Sequence, residues 1–145
     1  MRNLTITRRK TIVASLIKMR IYITDPTAND LVIGGESCRK LGELKNGQTA
    51  TFCVEDRAAK VYAIADTISR NYCNDYYPLP AGTQDVELTG KNAFSLGAGN
   101  AFRFDGITDE AVLANRKKGR NKGALIWIVA IIVGFLIGLL PSLLG

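Results

Sequence analysis

Residues 123–145 carry no charged side chain, and this segment constrains the fold of the 145-residue chain more than any other. Its central part, residues 124–140, contains no polar side chain. At about 1.5 Å rise per residue, a helix over this run is roughly 25 Å long, against a hydrocarbon core of about 30 Å. A domain of this size is too small to enclose a helix that is apolar on every side. The segment therefore predicts one transmembrane helix over residues 124–144.

Five cations lie within the seven residues before this span: Arg116, Lys117, Lys118, Arg120 and Lys122. Cationic residues beside a span stay on the cytoplasmic side of a membrane. We therefore expect a single-pass cell-membrane protein with a cytoplasmic N-terminal domain and a C-terminal tail anchor. Each cation near an anionic leaflet contributes about 1 kcal/mol, so these five are the predicted lipid-headgroup contacts. The alternative is a solvated topology signal that needs no particular lipid.

Small residues recur every four positions along the predicted span, at Ala130, Gly134 and Gly138. Residues at this spacing share one face of a helix. A track of small residues lets two helices approach closely, which favours self-association or docking on another membrane helix. The alternative is chance, because glycine is frequent in membrane helices. These three positions are the candidate helix–helix packing residues.

The charge of the remaining chain is unevenly distributed. Residues 1–24 hold six cations and no acid, whereas residues 25–115 hold eight cations and all 13 acids. The formal net charge of +6 therefore comes from two basic segments around a mildly acidic body. A nucleic-acid-binding domain carries its cations as a patch on the fold itself, so no nucleic-acid partner is expected. If the first strand faces the membrane, the N-terminal arginines lie against the same surface.

Alternation of apolar and polar residues predicts short β-strands. Met19, Ile21 and Ile23 alternate with polar neighbours, which is typical of a strand with one wet face. The Asn46-Gly47 pair favours a hairpin turn, after which Ala50, Phe52 and Val54 would face inward. Further strands are predicted around residues 4–6, 11–16, 31–33, 41–44, 60–65, 85–88 and 101–104.

No helical period of ten or more residues precedes residue 107. The predicted fold class is therefore all-β, a small β-sandwich or barrel over residues 1–106 followed by one C-terminal transmembrane helix. Residues 107–123 form a basic juxtamembrane linker in this prediction, with a helical turn over residues 109–113.

Three motifs resemble the small bacterial β-domains related to PEGA domains. They are residues 6–15 (ITRRKTIVAS), residues 21–24 (IYIT) and residues 40–47 (KLGELKNG) followed by Phe52. The resemblance covers roughly residues 4–65, with an insertion over residues 26–36 and without the family's P-x-G-x-H turn at residues 55–57. It implies an accessory or scaffolding module beside a membrane segment, without catalytic residues.

The chain contains three cysteines and no histidine, so the commonest metal ligand and general base are missing. No metal site, no cofactor and no small-molecule substrate is predicted. The odd number of cysteines fits free thiols in a reducing compartment. Only Cys73 has a functional interpretation, because nearby Arg70 would lower the pKa of its thiol. The alternative is a buried structural thiol.

Three tyrosines cluster at Tyr72, Tyr76 and Tyr77 beside asparagines and an aspartate. Interaction surfaces favour this composition, since tyrosine offers a wide, rigid contact at low entropic cost. These residues are the candidate partner patch, and the alternative is that their rings cap the sandwich.

The sequence thus favours a non-enzymatic interaction or scaffolding module at a membrane, assembling with itself or with a larger membrane complex. Two alternatives remain open. One is a small membrane-active effector that oligomerises through its transmembrane helix, and the other is an enzyme that uses Cys73.

Overall fold

The computed structural model describes residues 1–65, 75–93 and 102–143, which form a β-sandwich followed by a long helix. The strands are β1 (Arg2–Arg8), β2 (Met19–Thr24), β3 (Leu31–Ile33), β4 (Glu36–Leu44), β5 (Thr49–Val54), β6 (Ala59–Ala65), β7 (Tyr77–Leu79), β8 (Val86–Asn92) and β9 (Phe102–Phe104). The helix α1 runs from Glu110 to Leu143. The prediction of an all-β domain is confirmed, and its two separate sheets make it a sandwich.

The two sheets have the strand orders β5-β1-β8-β9 and β3-β4-β2-β6-β7. Strand β1 lies antiparallel to β5 and parallel to β8, whereas β2 lies antiparallel to both β4 and β6. The ring centroids of Tyr77 in β7 and Phe104 in β9 are 6.1 Å apart, so these two edge strands face each other across the sandwich.

The predicted alternation places apolar residues between the sheets. Met19, Ile21 and Ile23 of β2 are buried there. Strand β5 turns Ala50, Phe52 and Val54 inward, as predicted, and Cys53 between them is exposed. The predicted hairpin at Asn46-Gly47 is wrong, because β4 and β5 lie in different sheets and the turn joins the two sheets. A second cluster lies on the opposite face of the five-stranded sheet, since neighbouring residues of a strand point to opposite sides. It contains Tyr22, Leu31, Ile33, Cys38, Tyr62 and Ile64.

The prediction of a strand over residues 11–16 is wrong. This segment forms two successive turns, in which the Ser15 amide donates to the Ile12 carbonyl at 3.3 Å and the Ile17 amide donates to the Ala14 carbonyl at 3.1 Å. Ala14 takes a left-handed φ of 54°. We refer to residues 9–18, between β1 and β2, as the β1–β2 loop.

The fully buried guanidinium of Arg8 accounts for the two turns of the β1–β2 loop. Its Nη2 donates to the Ala14 carbonyl at 2.7 Å, and its Nη1 donates to the carbonyls of Ile17 at 2.6 Å and Leu44 at 3.0 Å. Its Nε donates to Asn92 Oδ1 at 2.9 Å. Arg8 thereby fastens the loop to the ends of β1, β4 and β8. Since Arg8 and Arg2 are buried, these two arginines do not form the lipid-facing surface that the sequence suggested.

Helix α1 begins at an aspartate cap. The Val112 amide donates to Asp109 Oδ1 at 3.1 Å, which satisfies one of the free amides of the first turn. The helix then continues without a break to Leu143, so the segment predicted as a linker is helical from Glu110 onward. Judged on the residues that the structure describes, no helix is both long and apolar enough to cross a membrane.

Replacement of Gly90 by alanine should destabilise the sandwich. A Cβ at Gly90 would lie 2.5 Å from Cε1 of Phe102 and 2.7 Å from the Arg103 carbonyl oxygen, so the neighbouring strand must move. We expect Gly90→Ala to lower the free energy of unfolding by about 1–3 kcal/mol, measured by urea denaturation of the full-length protein. Glu87→Ala, on the exposed face of the same strand, is the control and should change it by less than about 0.5 kcal/mol. Equal stability of the two variants would contradict this packing.

Candidate functional site

An ion pair joins the helix to the sandwich. Asp75, two residues before β7, is buried, and its carboxylate accepts two hydrogen bonds from Arg116, from Nε at 2.6 Å and from Nη2 at 3.0 Å. The same Nη2 donates to the Phe104 carbonyl at 2.8 Å. Val112, one turn earlier, is fully buried. The first two turns of α1 are therefore fixed to the edge strands β7 and β9.

Burial raises the pKa of Asp75, although the hydrogen bonds and the charge of Arg116 act in the opposite direction. The loss of hydration thus outweighs the attraction of the guanidinium. A buried pair of this kind depends on both partners, because removal of one leaves a buried charge without compensation.

This pairing corrects the assignment of Arg116 as a lipid contact. Its side chain is 19% exposed and is engaged by Asp75, so it serves the attachment of the helix. Lys117 and Lys118 follow on the exposed surface of α1. The side chains of Arg120 and Lys122 lie outside the described residues. Contact of these four lysines and arginines with lipid stays a prediction.

The three small residues of the predicted packing track lie in α1. Ala130 and Gly134 are exposed, and a Cβ at Gly134 would meet nothing within 4 Å. Gly138 follows four residues later in the same unbroken helix. The structure therefore leaves room for close approach at Ala130 and Gly134, and association through this track stays a prediction.

Tyr76 and Tyr77 do not lie on one face of the sheet. The Tyr77 ring packs against the core beside Phe104, whereas the Tyr76 ring lies on the other face of the sheet, with its centroid 5.7 Å from that of Tyr62. Tyr72 lies outside the described residues. Tyr77 is half-buried against the core, and Tyr76 is half-buried on the opposite face, so the two do not share a contact surface.

Tyr76 lines a shallow depression of about 330 Å³ at the end of the sandwich where β2 finishes. Its polar wall contains Lys60, whose Nζ lies 2.7 Å from Glu36 Oε2 and 5.3 Å from the Tyr76 ring centroid. The hydrogen bond to Glu36 raises the pKa of Lys60, so this lysine stays charged. The remaining lining residues are Thr24, Ala58, Ala59, Pro78, Leu79 and Asp109.

A second depression of about 460 Å³ adjoins the first and shares Thr24, Glu36 and Ala58 with it. Its fixed charge is Asp25, which accepts hydrogen bonds from the Thr27 hydroxyl at 2.7 Å and from Arg39 Nε at 3.1 Å. The Thr27 bonds, more than the nearby arginines, lower the pKa of Asp25. We call the two depressions together the distal surface. It combines an aromatic ring, a proline and fixed charges of both signs.

The thiol of Cys38 is not activated. Burial, and to a lesser degree the charge of Glu36, raises the pKa of Cys38 to about 11, so its thiol stays protonated at neutral pH. Cys53 is free and exposed on β5. Cys73, the candidate nucleophile, lies outside the described residues. Within the described ranges, no three histidine, cysteine, aspartate or glutamate residues are grouped as a metal site would require.

No protein-family model matches this chain, and no curated protein matches it either. The resemblance to PEGA domains therefore stays a prediction.

Removal of Arg116 should loosen the helix from the sandwich in a pH-dependent way. Arg116→Met leaves the Asp75 carboxylate buried and unpaired, and we expect a loss of about 3 kcal/mol in the free energy of unfolding at neutral pH. In the variant, the pKa of Asp75 in the folded protein rises further above its value in the unfolded chain. The free energy of unfolding is therefore lowered most at pH values above the folded pKa, where Asp75 is charged. The loss shrinks as pH falls and Asp75 becomes neutral.

Urea titrations of the full-length protein at several pH values measure this loss. Lys117→Met, on the exposed side of the same turn, is the matched control and should change stability little at any pH. A loss for Arg116→Met that does not depend on pH would contradict the role assigned to the Asp75 carboxylate.

Proposed function

We propose that this protein is a single-pass membrane protein in which α1 is a C-terminal anchor and the sandwich is a non-enzymatic interaction module on the cytoplasmic side. One observation carries the proposal: from Leu125 to Ile137, large apolar side chains cover every side of α1 and are about half exposed or more. They are Leu125, Ile126, Trp127, Ile128, Val129, Ile131, Ile132, Val133, Phe135, Leu136 and Ile137. A water-facing helix shows an apolar stripe, whereas a helix that is apolar all round needs an apolar environment on all sides.

The length of α1 agrees with this role. Its 34 residues extend about 51 Å at 1.5 Å per residue, of which the first turns are attached to the sandwich. The structure describes side chains of the apolar run over residues 124–137, and the sequence continues the run to residue 140. A span needs about 20 predominantly apolar residues, with a range of about 17–25, so residues 124–140 reach the lower end of that range.

The basic residues before the apolar run support the cytoplasmic orientation and lipid contact. Lys117 and Lys118 project into solvent from α1, and Arg120 and Lys122 follow in sequence. Because α1 is attached to the sandwich at Arg116, Leu125 follows that attachment by only nine positions in the sequence. This spacing corresponds to about 14 Å of helix, so the sandwich would lie next to the headgroups.

The distal surface is our candidate for partner binding. It lies at the opposite end of the sandwich from the one toward which α1 runs, so a membrane would leave it accessible to a protein. The resemblance to PEGA domains points to the same kind of scaffolding role. We propose assembly with itself through Ala130, Gly134 and Gly138, or with a larger membrane complex through the distal surface.

Two lysines on one side of α1 should release the protein from membranes. In Ile128→Lys/Ile132→Lys both lysines lie within the apolar run, where each costs up to about 2.5–3.5 kcal/mol, the value at the centre of a bilayer. After alkaline carbonate extraction, we expect the wild type in the membrane pellet and the double variant in the supernatant. Val32→Lys changes an exposed apolar residue of the sandwich and should leave the protein in the pellet. Recovery of the wild type as a monomer without detergent would overturn the anchor.

Photo-crosslinking should locate the partner surface. A crosslinking amino acid at Ala58, which lines both depressions, should give an adduct with another protein in native membranes. The same amino acid at Thr51, exposed on β5, should not. Addition of Tyr76→Ala should weaken the Ala58 adduct because the aromatic wall is lost. Adducts of equal yield at Ala58 and Thr51, or none at Ala58, would count against the distal surface.

A further inference from the structure

The tip of the β1–β2 loop exposes three large apolar side chains within five residues. Ile12 is 96% exposed and Leu16 98%, and Val13 between them is 37% exposed. Elsewhere in the described part of the sandwich, large apolar residues are exposed only singly, at Met1 and Val32. Single exposed apolar residues are ordinary on protein surfaces, whereas a contiguous group marks a contact site.

The exposure of these side chains is built into the fold. Thr11, at the start of the tip, exchanges two hydrogen bonds with the Asn46 side chain, at 3.0 Å and 2.8 Å. Arg8 holds the Ala14 and Ile17 carbonyls from below, as described above. The backbone is therefore fixed on both sides of the tip, and the apolar side chains are directed away from the core.

Cations surround the tip. Lys10 and Lys45 are exposed beside it and form no ion pair within the described ranges. Two other cations are partly neutralised: Arg9 lies 2.7 Å from Asp105, and Lys18 lies 3.7 Å from Glu43. An apolar tip inside a cationic rim is complementary to an anionic lipid surface, which offers phosphate at its surface and hydrocarbon beneath.

The loop lies at the end of the sandwich toward which α1 runs. Asp109, before the helix, lines the distal surface beside Leu79, near the end of β2. Arg116, two turns later, lies beside Asp75, toward the other end of the sheet, where β2 begins. The β1–β2 loop leads directly into that end of β2. The apolar half of α1 therefore leaves the sandwich on the same side as the loop tip.

We infer that the β1–β2 loop is a second membrane contact, in which Ile12, Val13 and Leu16 enter the boundary between headgroups and acyl chains of an anionic leaflet. Lys10 and Lys45 contact lipid phosphates at its rim. The inference rests on the proposed function, because the anchoring of α1 brings the loop to the bilayer. With both contacts made, the sandwich is held in one orientation on the membrane.

Environment-sensitive fluorophores on the full-length protein test this inference. Single cysteines for labelling replace Leu16, Val32 or Ile132 in a background in which Cys53 and Cys73 are serine. Cys38 stays, since it is buried. The labelled proteins are reconstituted into vesicles of phosphatidylcholine with phosphatidylserine. We expect the Leu16 probe to shift to the blue and to be quenched by lipids that carry a quencher near the headgroup. The Val32 probe should remain water-like.

Two matched changes sharpen the result. Lys10→Gln/Lys45→Gln, or vesicles of phosphatidylcholine alone, should reduce lipid quenching of the Leu16 probe several-fold, while quenching of the Ile132 probe by deep-placed quenchers is unchanged. Both substituted lysines are exposed, so the two substitutions should leave the folded structure unchanged.

The outcomes separate the two proposals. A water-like Leu16 probe together with a lipid-quenched Ile132 probe overturns the loop contact and leaves the anchor standing. A blue-shifted Leu16 probe that no lipid quenches means a protein contact and also overturns the inference. A water-like Ile132 probe overturns the anchor itself, and the loop contact with it.

Discussion

The buried guanidinium of Arg8 determines the architecture of one end of the sandwich. A buried cation is tolerated only when its donors are satisfied, and Arg8 satisfies them with three backbone carbonyls and the Asn92 amide oxygen. None of these four acceptors is a carboxylate, so the bonds fix positions of the backbone without an ion pair. They draw the β1–β2 loop back over the end of β1 and join it to β4 and β8. The turns of this loop, and with them the exposure of Ile12 and Leu16, depend on that one side chain.

A second arginine acts in a similar way at the edge formed by β7 and β9. Arg116 binds the Asp75 carboxylate and the Phe104 carbonyl, and so attaches α1 to β7 and β9. Burial of both charges costs their hydration free energy, which is offset only by good hydrogen-bond geometry. The bidentate contact between Arg116 and Asp75 supplies that geometry. Because the helix runs toward the end that Arg8 organises, both apolar features leave the sandwich on one side. The distal surface is left at the other end, where fixed charges such as Asp25 and Lys60 lie beside Tyr76.

Local patterns predicted much of the fold, and the remainder depended on long-range contacts. The alternation at Met19, Ile21 and Ile23 identified β2 because burial on one side imposes a period of two. The apolar residues Ile12 and Val13 also looked like part of a strand, whereas the carbonyls around them are bound by Arg8, whose partners no periodicity reveals. Arg116 was grouped with its basic neighbours because its partner Asp75 is 41 residues away. Tyr76 and Tyr77 looked like one patch because Pro78 argued against a strand at this position, although proline is tolerated in an edge strand such as β7. Neighbouring side chains of a strand face opposite sides, so the two rings point apart.

Because α1 is continuous, its attachment to the sandwich determines the direction of the whole helix. A flexible linker between the sandwich and an anchor would let the domain rotate freely, since each residue of such a linker adds rotatable backbone angles. An unbroken helix from Glu110 to Leu143 instead transmits its direction from the attachment at Arg116 to the apolar run. The tilt of that run in a bilayer then determines how deeply the β1–β2 loop can reach. Under the proposed anchoring, loop insertion and helix tilt are therefore coupled, and a bilayer that changes one of them also changes how the distal surface is presented.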